Sequence, residues 1–142
     1  MSLPSVEPLI EKLGQALTPY FSSPDSQPII VGIETGGAWI AERLQQRVDP
    51  GAELGSLNIS FYRDDFTRSG LHPTVKPSSL PTDIDDRIII LVDDVLHSGR
   101  TVRAAMNEIF DYGRPKQIIL AILIDRGERE IPIQADFVGA TL

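Results

Sequence analysis

The chain has 142 residues, two histidines, no cysteine and a formal net charge of −7. That length holds one domain with a sizeable core but no separate substrate domain, and the composition excludes disulfides, thiolate catalysis and Cys- or His-rich metal sites. No apolar run nears the ~20 residues of a membrane span, the first residues lack a signal-peptide pattern, and the acidity opposes nucleic acid as a default partner, so a cytoplasmic globular protein is expected.

Leu9, Ile10, Leu13, Ala16 and Leu17 share one helical face, which predicts a helix over 6–20 closed by Pro19. Ser22 to Pro28 is rich in turn residues, and Ile29 to Ile33 is a wholly apolar strand. Glu34-Thr35-Gly36-Gly37 then leads into a helix expected from Ala38 to about Val48, with Ile40, Ala41, Leu44 and Val48 inward. Adjacent glycines at a strand end let backbone amides approach an anion, although the pair also reads as a plain turn. Leu57, Ile59 and Phe61 alternate along a third strand, which meets Tyr62-Arg63-Asp64-Asp65. Residues 66–86 follow without helical or strand period, and loops of that length in compact domains are usually functional lids or disordered.

Ile88 to Val92 reads as a strand buried on both faces, as in a parallel sheet covered by helices. It ends in Asp93-Asp94, and carboxylates there are costly unless a ligand, metal or donor meets them; the bland alternative is a pair of solvent-facing caps. Ser98-Gly99-Arg100-Thr101 opens a helix to Tyr112, with Val102, Ala105, Met106, Ile109 and Phe110 at helical spacing. Hydroxyls and a glycine at a helix start make an anion cradle, so the segment offers acceptors for sugar hydroxyls beside donors for a phosphate. Strands at Gln117 to Ile124 and Ala135 to Val138 complete an α/β architecture with its ligand face at the strand ends.

The apolar strand, Asp93-Asp94, three residues and then Ser98-Gly99-Arg100-Thr101 resemble the phosphoribosyl diphosphate (PRPP) signature of type I phosphoribosyltransferases. Tyr62 to Asp65, Gly99 to Met106, Tyr112 to Pro115 and Ile124 to Ile133 resemble the pyrimidine-operon attenuation protein/uracil phosphoribosyltransferase (PyrR) family, a likeness running through nearly all of the chain from Ile29 onward. It implies a single domain, a mostly parallel sheet flanked by helices, with a flexible active-site loop over 66–86 and a base-covering segment over 125–142. The implied reaction converts uracil and PRPP to UMP and diphosphate with Mg²⁺, in a homodimer or higher homo-oligomer. Asp93 and Asp94 would meet the ribose and Mg²⁺, and Ser98, Gly99, Arg100 and Thr101 the 5-phosphate, with Val95 and Leu96 also in contact. Thr35, Gly36 and Gly37 would meet the diphosphate, helped by loop cations among Arg63, His72 and Lys76. Asp125 and Arg126 would lie at the base, unless Asp125 and Asp136 instead pair with Arg126 and Arg129 as surface ions.

Some positions depart from the family pattern. Gly36 stands where many relatives have arginine or lysine, and His97, whose imidazole could pass a base proton, stands where the nearest relatives usually have tyrosine. The family's second role is UMP-dependent binding of leader RNA; Arg126 and Arg129 match that role, while Gln134, Ala140 and the net charge oppose it. A non-catalytic phosphoribosyl or nucleotide sensor is a third reading. Relatives continue with further sheet beyond the Gly139 region, which bears on base affinity more than on PRPP.

Overall fold

The computed structural model describes residues 5–23, 27–59, 78–81 and 83–142. Within them the apolar runs form β1 (Ile29–Ile33), β2 (Leu54–Leu57), β3 (Ile88–Leu96), β4 (Gln117–Asp125) and β5 (Phe137–Thr141), joined as one parallel sheet in the order β2-β1-β3-β4-β5. The helices are α1 (Val6–Phe21), α2 (Gly36–Val48) and α3 (Arg100–Tyr112).

A central strand covered on both faces has to be apolar at every position, whereas a half-exposed one alternates. All of β1 is buried, and Ile89, Ile90, Leu91 and Val92 of β3 are each 0% exposed. Full burial of each such side chain contributes about 1.5–3 kcal/mol. The pleat divides them between two layers. Ile29, Val31, Ile33, Ile89 and Leu91 pack with Val102, Ala105 and Ile109 of α3. Ile30, Ile90 and Val92 pack with Ile10, Leu13 and Leu17 of α1 and with Ile40, Ala41 and Leu44 of α2. The result is a sheet between helical layers. From β1, the chain goes to β2 on one side and later to β3 on the other, so the order reverses between β1 and β3. Open parallel sheets take ligands at the carboxyl ends of the strands flanking such a reversal.

Several boundaries differ from expectation, for identifiable reasons. Pro19 lies inside the last turn of α1 rather than ending it, because Tyr20 and Phe21 pack against the core and Tyr20 meets Phe137 edge-on at 6.1 Å between ring centroids. Tertiary packing there outweighs the missing backbone donor. β3 continues past Val92 because β4 extends beside it, pairing Val95 with Ile124 and Leu96 with Asp125. The third expected strand forms earlier, at Leu54–Leu57, where pairing ends at Ile33 with Leu57; Ile59 is buried beyond the ladder, and Phe61 lies outside the described residues. The last strand starts at Phe137 because the Asp136 carboxylate accepts from the Leu120 amide at 2.8 Å and so takes a ladder position itself. The helices begin at Gly36 and Arg100, one or more residues before the apolar period starts. Of the apolar residues at helical spacing in α3, Phe110 is 58% exposed.

Part of the aperiodic segment is tied to the body. Ser79 pairs antiparallel with Ser56, and Ile84 is 2% exposed in the core. Residues 66–77 lie outside the described residues. No helix among the described residues is long and apolar enough to cross a membrane.

Candidate active site

The glycine turn after β1 and the carboxylates of β3, separate motifs in sequence, are in contact. A Cβ on Gly37 would lie 2.4 Å from the Val92 carbonyl oxygen and 2.9 Å from the Asp93 Cα, and one on Gly36 would lie 2.2 Å from Oδ2 of Asp94. Side chains do not fit at such distances, so both glycines are required by close approach. Below them Gly32 performs the same service, since its Cβ would lie 2.4 Å from the Ala38 Cα at the start of α2. The Glu34 amide donates to the Leu57 carbonyl at 2.8 Å, fixing the turn to β2, and the Glu34–Thr35 peptide is cis.

Thr35 precedes α2 and Gly99 precedes α3, and neither supplies a side-chain cap. The starts of two helices, with their positive dipole ends, are therefore presented where β1 and β3 finish, although the Arg100 amide is bonded to Ser98 Oγ. That arrangement suits two anionic groups.

Between them lies Asp93, only 6% exposed. Burial pushes its carboxyl up to about 8, reinforced by hydrogen bonding to and charge on Asp94; the Asp94 amide, donating to Asp93 Oδ1 at 2.8 Å, pulls the other way. The Val95 amide donates to Asp94 Oδ1 at 2.8 Å. A carboxyl so placed holds a proton at neutral pH until a cation or hydrogen-bond donor compensates it. The pair is thus not a set of solvent-facing caps.

The turn after β3 is shaped by Gly99, at φ 95°. Ser98 Oγ accepts from the Arg100 amide at 3.2 Å, and Ser98's carbonyl accepts from the Glu130 and Ile131 amides at 2.9 and 3.2 Å. Arg100 and Thr101 are exposed, and Arg100 Nε donates to Glu130 at 2.6 Å. This exposed pair restrains Arg100 only weakly, so the guanidinium can turn to an anion.

At the end of β4, Asp125 is 7% exposed and pairs with Arg129, at 2.8 and 2.7 Å through both oxygens. Hydrogen bonds from Arg129 hold its carboxyl below the usual carboxylate range. Of the two sequence readings, ion pairing therefore describes this side chain, but as a buried pair and with Arg129. Arg126 is exposed, its amide donating to the Leu96 carbonyl at 2.8 Å. Leu96 is 1% exposed in the core, so its side chain does not line the site, whereas Val95 is 38% exposed. His97 is half-buried, and its Nδ1 has no hydrogen-bond partner among the described residues. Arg63, His72 and Lys76 lie outside the described residues.

Sequence reasoning missed the contribution of residues 130–133. The carbons of Ile131 and Ile133 would lie 2.9 and 3.1 Å from a Cβ on Gly99, so these side chains back the turn. The signal that could have found them is the alternation of Ile131, Ile133 and Ala135, which marks an inward face that Pro132 keeps from forming a regular strand.

A parallel sheet whose neighbouring strands end in a glycine turn and a carboxylate pair, each followed by a helix start, has the build of a phosphoribosyl transferase domain, and the pattern of that domain matches residues 5–141. Solved structures agree at the level of fold. A hypoxanthine-guanine phosphoribosyltransferase from Bacillus anthracis superposes with a TM-score of 0.75 at 22% identity, over 99% of this chain and 80% of that one. A purine phosphoribosyltransferase from Pyrococcus horikoshii gives 0.69 at 22% identity, over 94% and 81%. In sequence, the chain is 51% identical over its whole length to the bifunctional protein PyrR of Pseudomonas paraeruginosa, of which it covers 84%. It is 61% identical over 116 residues to that of Nitrosococcus oceani, covering 80% of this chain and 66% of the relative. The chain belongs to the PyrR family of phosphoribosyl transferases.

Proposed function

We propose that the protein is a uracil phosphoribosyltransferase, forming UMP and diphosphate from uracil and PRPP. The observation that carries this reading is the direct contact of Gly36-Gly37 with Asp93-Asp94, which sets an anion-binding turn against acceptors for a sugar. A PRPP molecule laid across the reversal between β1 and β3 would put its 5-phosphate on the amides and hydroxyls of Ser98, Gly99, Arg100 and Thr101. Its ribose hydroxyls would face Asp93 and Asp94, and its diphosphate the amides of Thr35, Gly36 and Gly37.

In this reaction the bond from C1 to the diphosphate oxygen breaks as a bond from C1 to a uracil nitrogen forms, with positive charge on the ribose between the two events, and the proton of that nitrogen is released to a neighbouring base or to water. No protein nucleophile is required. The chain's own contribution is to align the two partners and to surround the charge that develops, which can account for a large share of a rate enhancement. Carboxylates beside the ribose stabilise its positive charge, and helix amides stabilise the departing diphosphate. Val95, His97 and Arg126 lie around the adjoining end of β3 and β4, where we place the base.

The donor set fits Mg²⁺. Two adjacent hard carboxylates, Asp93 and Asp94, are present, and no cluster of three acidic, His or Cys ligands occurs among the described residues. Mg²⁺ is commonly held by one or two carboxylates plus substrate oxygens, and when bound it neutralises charge on the leaving group. Its arrival would also relieve the cost of ionising Asp93.

The test is UMP formation from PRPP and uracil with Mg²⁺, compared with product formation from orotate, hypoxanthine and guanine. Turnover confined to uracil supports the assignment, and binding of UMP without turnover supports a sensor instead.

A further inference from the structure

Arg129 makes more side-chain hydrogen bonds than its place in an irregular loop would suggest. Its Nη1 donates to Asp125 Oδ1 at 2.8 Å and to the His97 carbonyl at 3.2 Å, its Nη2 to Asp125 Oδ2 at 2.7 Å, and its Nε to the Ile133 carbonyl at 2.7 Å. The side chain is 18% exposed and that of Asp125 9%. All three guanidinium nitrogens are thus engaged, on three separate pieces of chain. A surface cation serving a polyanion needs its planar fork free for phosphate oxygens. This one is spent inside the protein.

What those bonds hold together is the wall of the phosphate turn. The end of β4 at Asp125, the residue before Ser98 at its carbonyl, and the far end of the 126–133 segment all meet at one guanidinium. The segment so folded returns two amides to the Ser98 carbonyl and places Ile131 and Ile133 against Gly99. We infer that Arg129 is a positioning residue for PRPP binding, acting through Asp125, His97 and residues 130–133 on the turn from Ser98 to Thr101, and that it is not a nucleic-acid contact. The inference rests on the assignment of that turn to the 5-phosphate.

The test compares the wild-type chain with Arg129→Gln, Arg129→Lys, Asp125→Asn and the Asp125→Asn/Arg129→Gln double variant. Steady-state kinetics are measured alongside calorimetry with UMP and with uridine. Loss of a shaped phosphate turn raises KM for PRPP and Kd for UMP by about ten-fold or more, with kcat and the Kd for uridine changed by less than about three-fold. Arg129→Lys does not restore the wild-type values, because an ammonium group cannot bond both carboxylate oxygens and two carbonyls in one plane. The double variant is no worse than the poorer single variant, since both disrupt one interaction.

Equal loss of affinity for UMP and uridine, or a fall in kcat and Tm with KM unmoved, would overturn the inference in favour of a general structural role. Loss of retention of a single-stranded RNA with an unchanged KM for PRPP would overturn it in favour of a nucleic-acid contact. If Arg129→Gln does not fold, Arg129→Lys and Asp125→Asn decide the matter by the same ratio. A wild-type chain that forms no UMP and binds no PRPP refutes the functional assignment itself, an outcome separate from any of these.

Discussion

Gly36 approaches Asp94 so closely that a Cβ on the glycine would lie 2.2 Å from the carboxylate oxygen Oδ2 and 2.8 Å from Cγ. One methyl group there must therefore swing the carboxylate aside. Gly36→Ala is expected to lower kcat/KM for PRPP by at least about ten-fold, equivalent to roughly 1.4 kcal/mol of transition-state stabilisation. Gly36→Arg imposes the same displacement but adds a cation beside the acidic pair, where the proposed function places the diphosphate. It should recover part of the loss in KM for PRPP, which initial-rate measurements on the two variants will show.

Asp93 links stability to pH. Its ordinary value is 3.8 and its native value about 8, so between them the folded protein keeps a proton that the unfolded chain has released. Stability from this group is complete below pH ~4 and is lost as pH rises toward ~8. Asp93→Asn removes the dependence. Its stability relative to wild type should rise from near zero at pH 4 to a gain on the order of 2–4 kcal/mol at pH 8, after allowing for coupling to Asp94. Urea unfolding without divalent cations at both pH values measures this difference. The same variant should lose most turnover, since the proposed function uses this carboxylate as an acceptor for the ribose and for Mg²⁺.

Gly99 combines φ 95° with crowding from Ile131 and Ile133, so Gly99→Ala meets both backbone strain and overpacking. A destabilisation of about 1–3 kcal/mol is expected. Affinity for UMP should fall more than affinity for uridine, because the proposed function seats the phosphate on this strained turn. Thermal unfolding and calorimetry together check the two effects.

His97 brings a buried Nδ1 with no hydrogen-bond partner among the described residues to the end of β3, where the proposed function puts the base. If that nitrogen handles a proton of the base, His97→Phe alters the shape of the pH dependence of kcat. The expected outcome is a changed profile with KM for PRPP within about two-fold of wild type. A profile of unaltered shape would make His97 a lining residue only.

The parts of the fold that were legible in sequence are those where burial leaves no choice. Ile29–Ile33 was read to the residue, because a strand covered on both faces excludes polar side chains throughout. The Asp93-Asp94 motif stood out equally, since carboxylates after such a strand demand a partner, and the family its resemblance pointed to is the one the chain belongs to. β2 was misplaced because Leu54–Leu57, as an edge strand with half-buried Leu54 and Ser56, is shorter and less apolar than the alternation from Leu57 to Phe61 that stood beside it. β3 was cut short because Asp93 and Asp94 look like a strand end until β4 is seen to run past them. The contact of Gly36 with Asp94 was beyond local reading altogether, being a relation between two strand ends far apart in sequence. The role of Arg129 was half legible: its pairing with an aspartate was among the alternatives, but the carbonyls of His97 and Ile133 leave no mark in the side-chain sequence.

The central claim is tested most directly by incubating the full chain with PRPP and Mg²⁺ and measuring product from uracil, orotate, hypoxanthine and guanine under identical conditions. A uracil phosphoribosyltransferase forms UMP with kcat/KM at least about ten-fold above that for any other base. Binding of PRPP and UMP with no UMP formed, or a preference for another base, would contradict it.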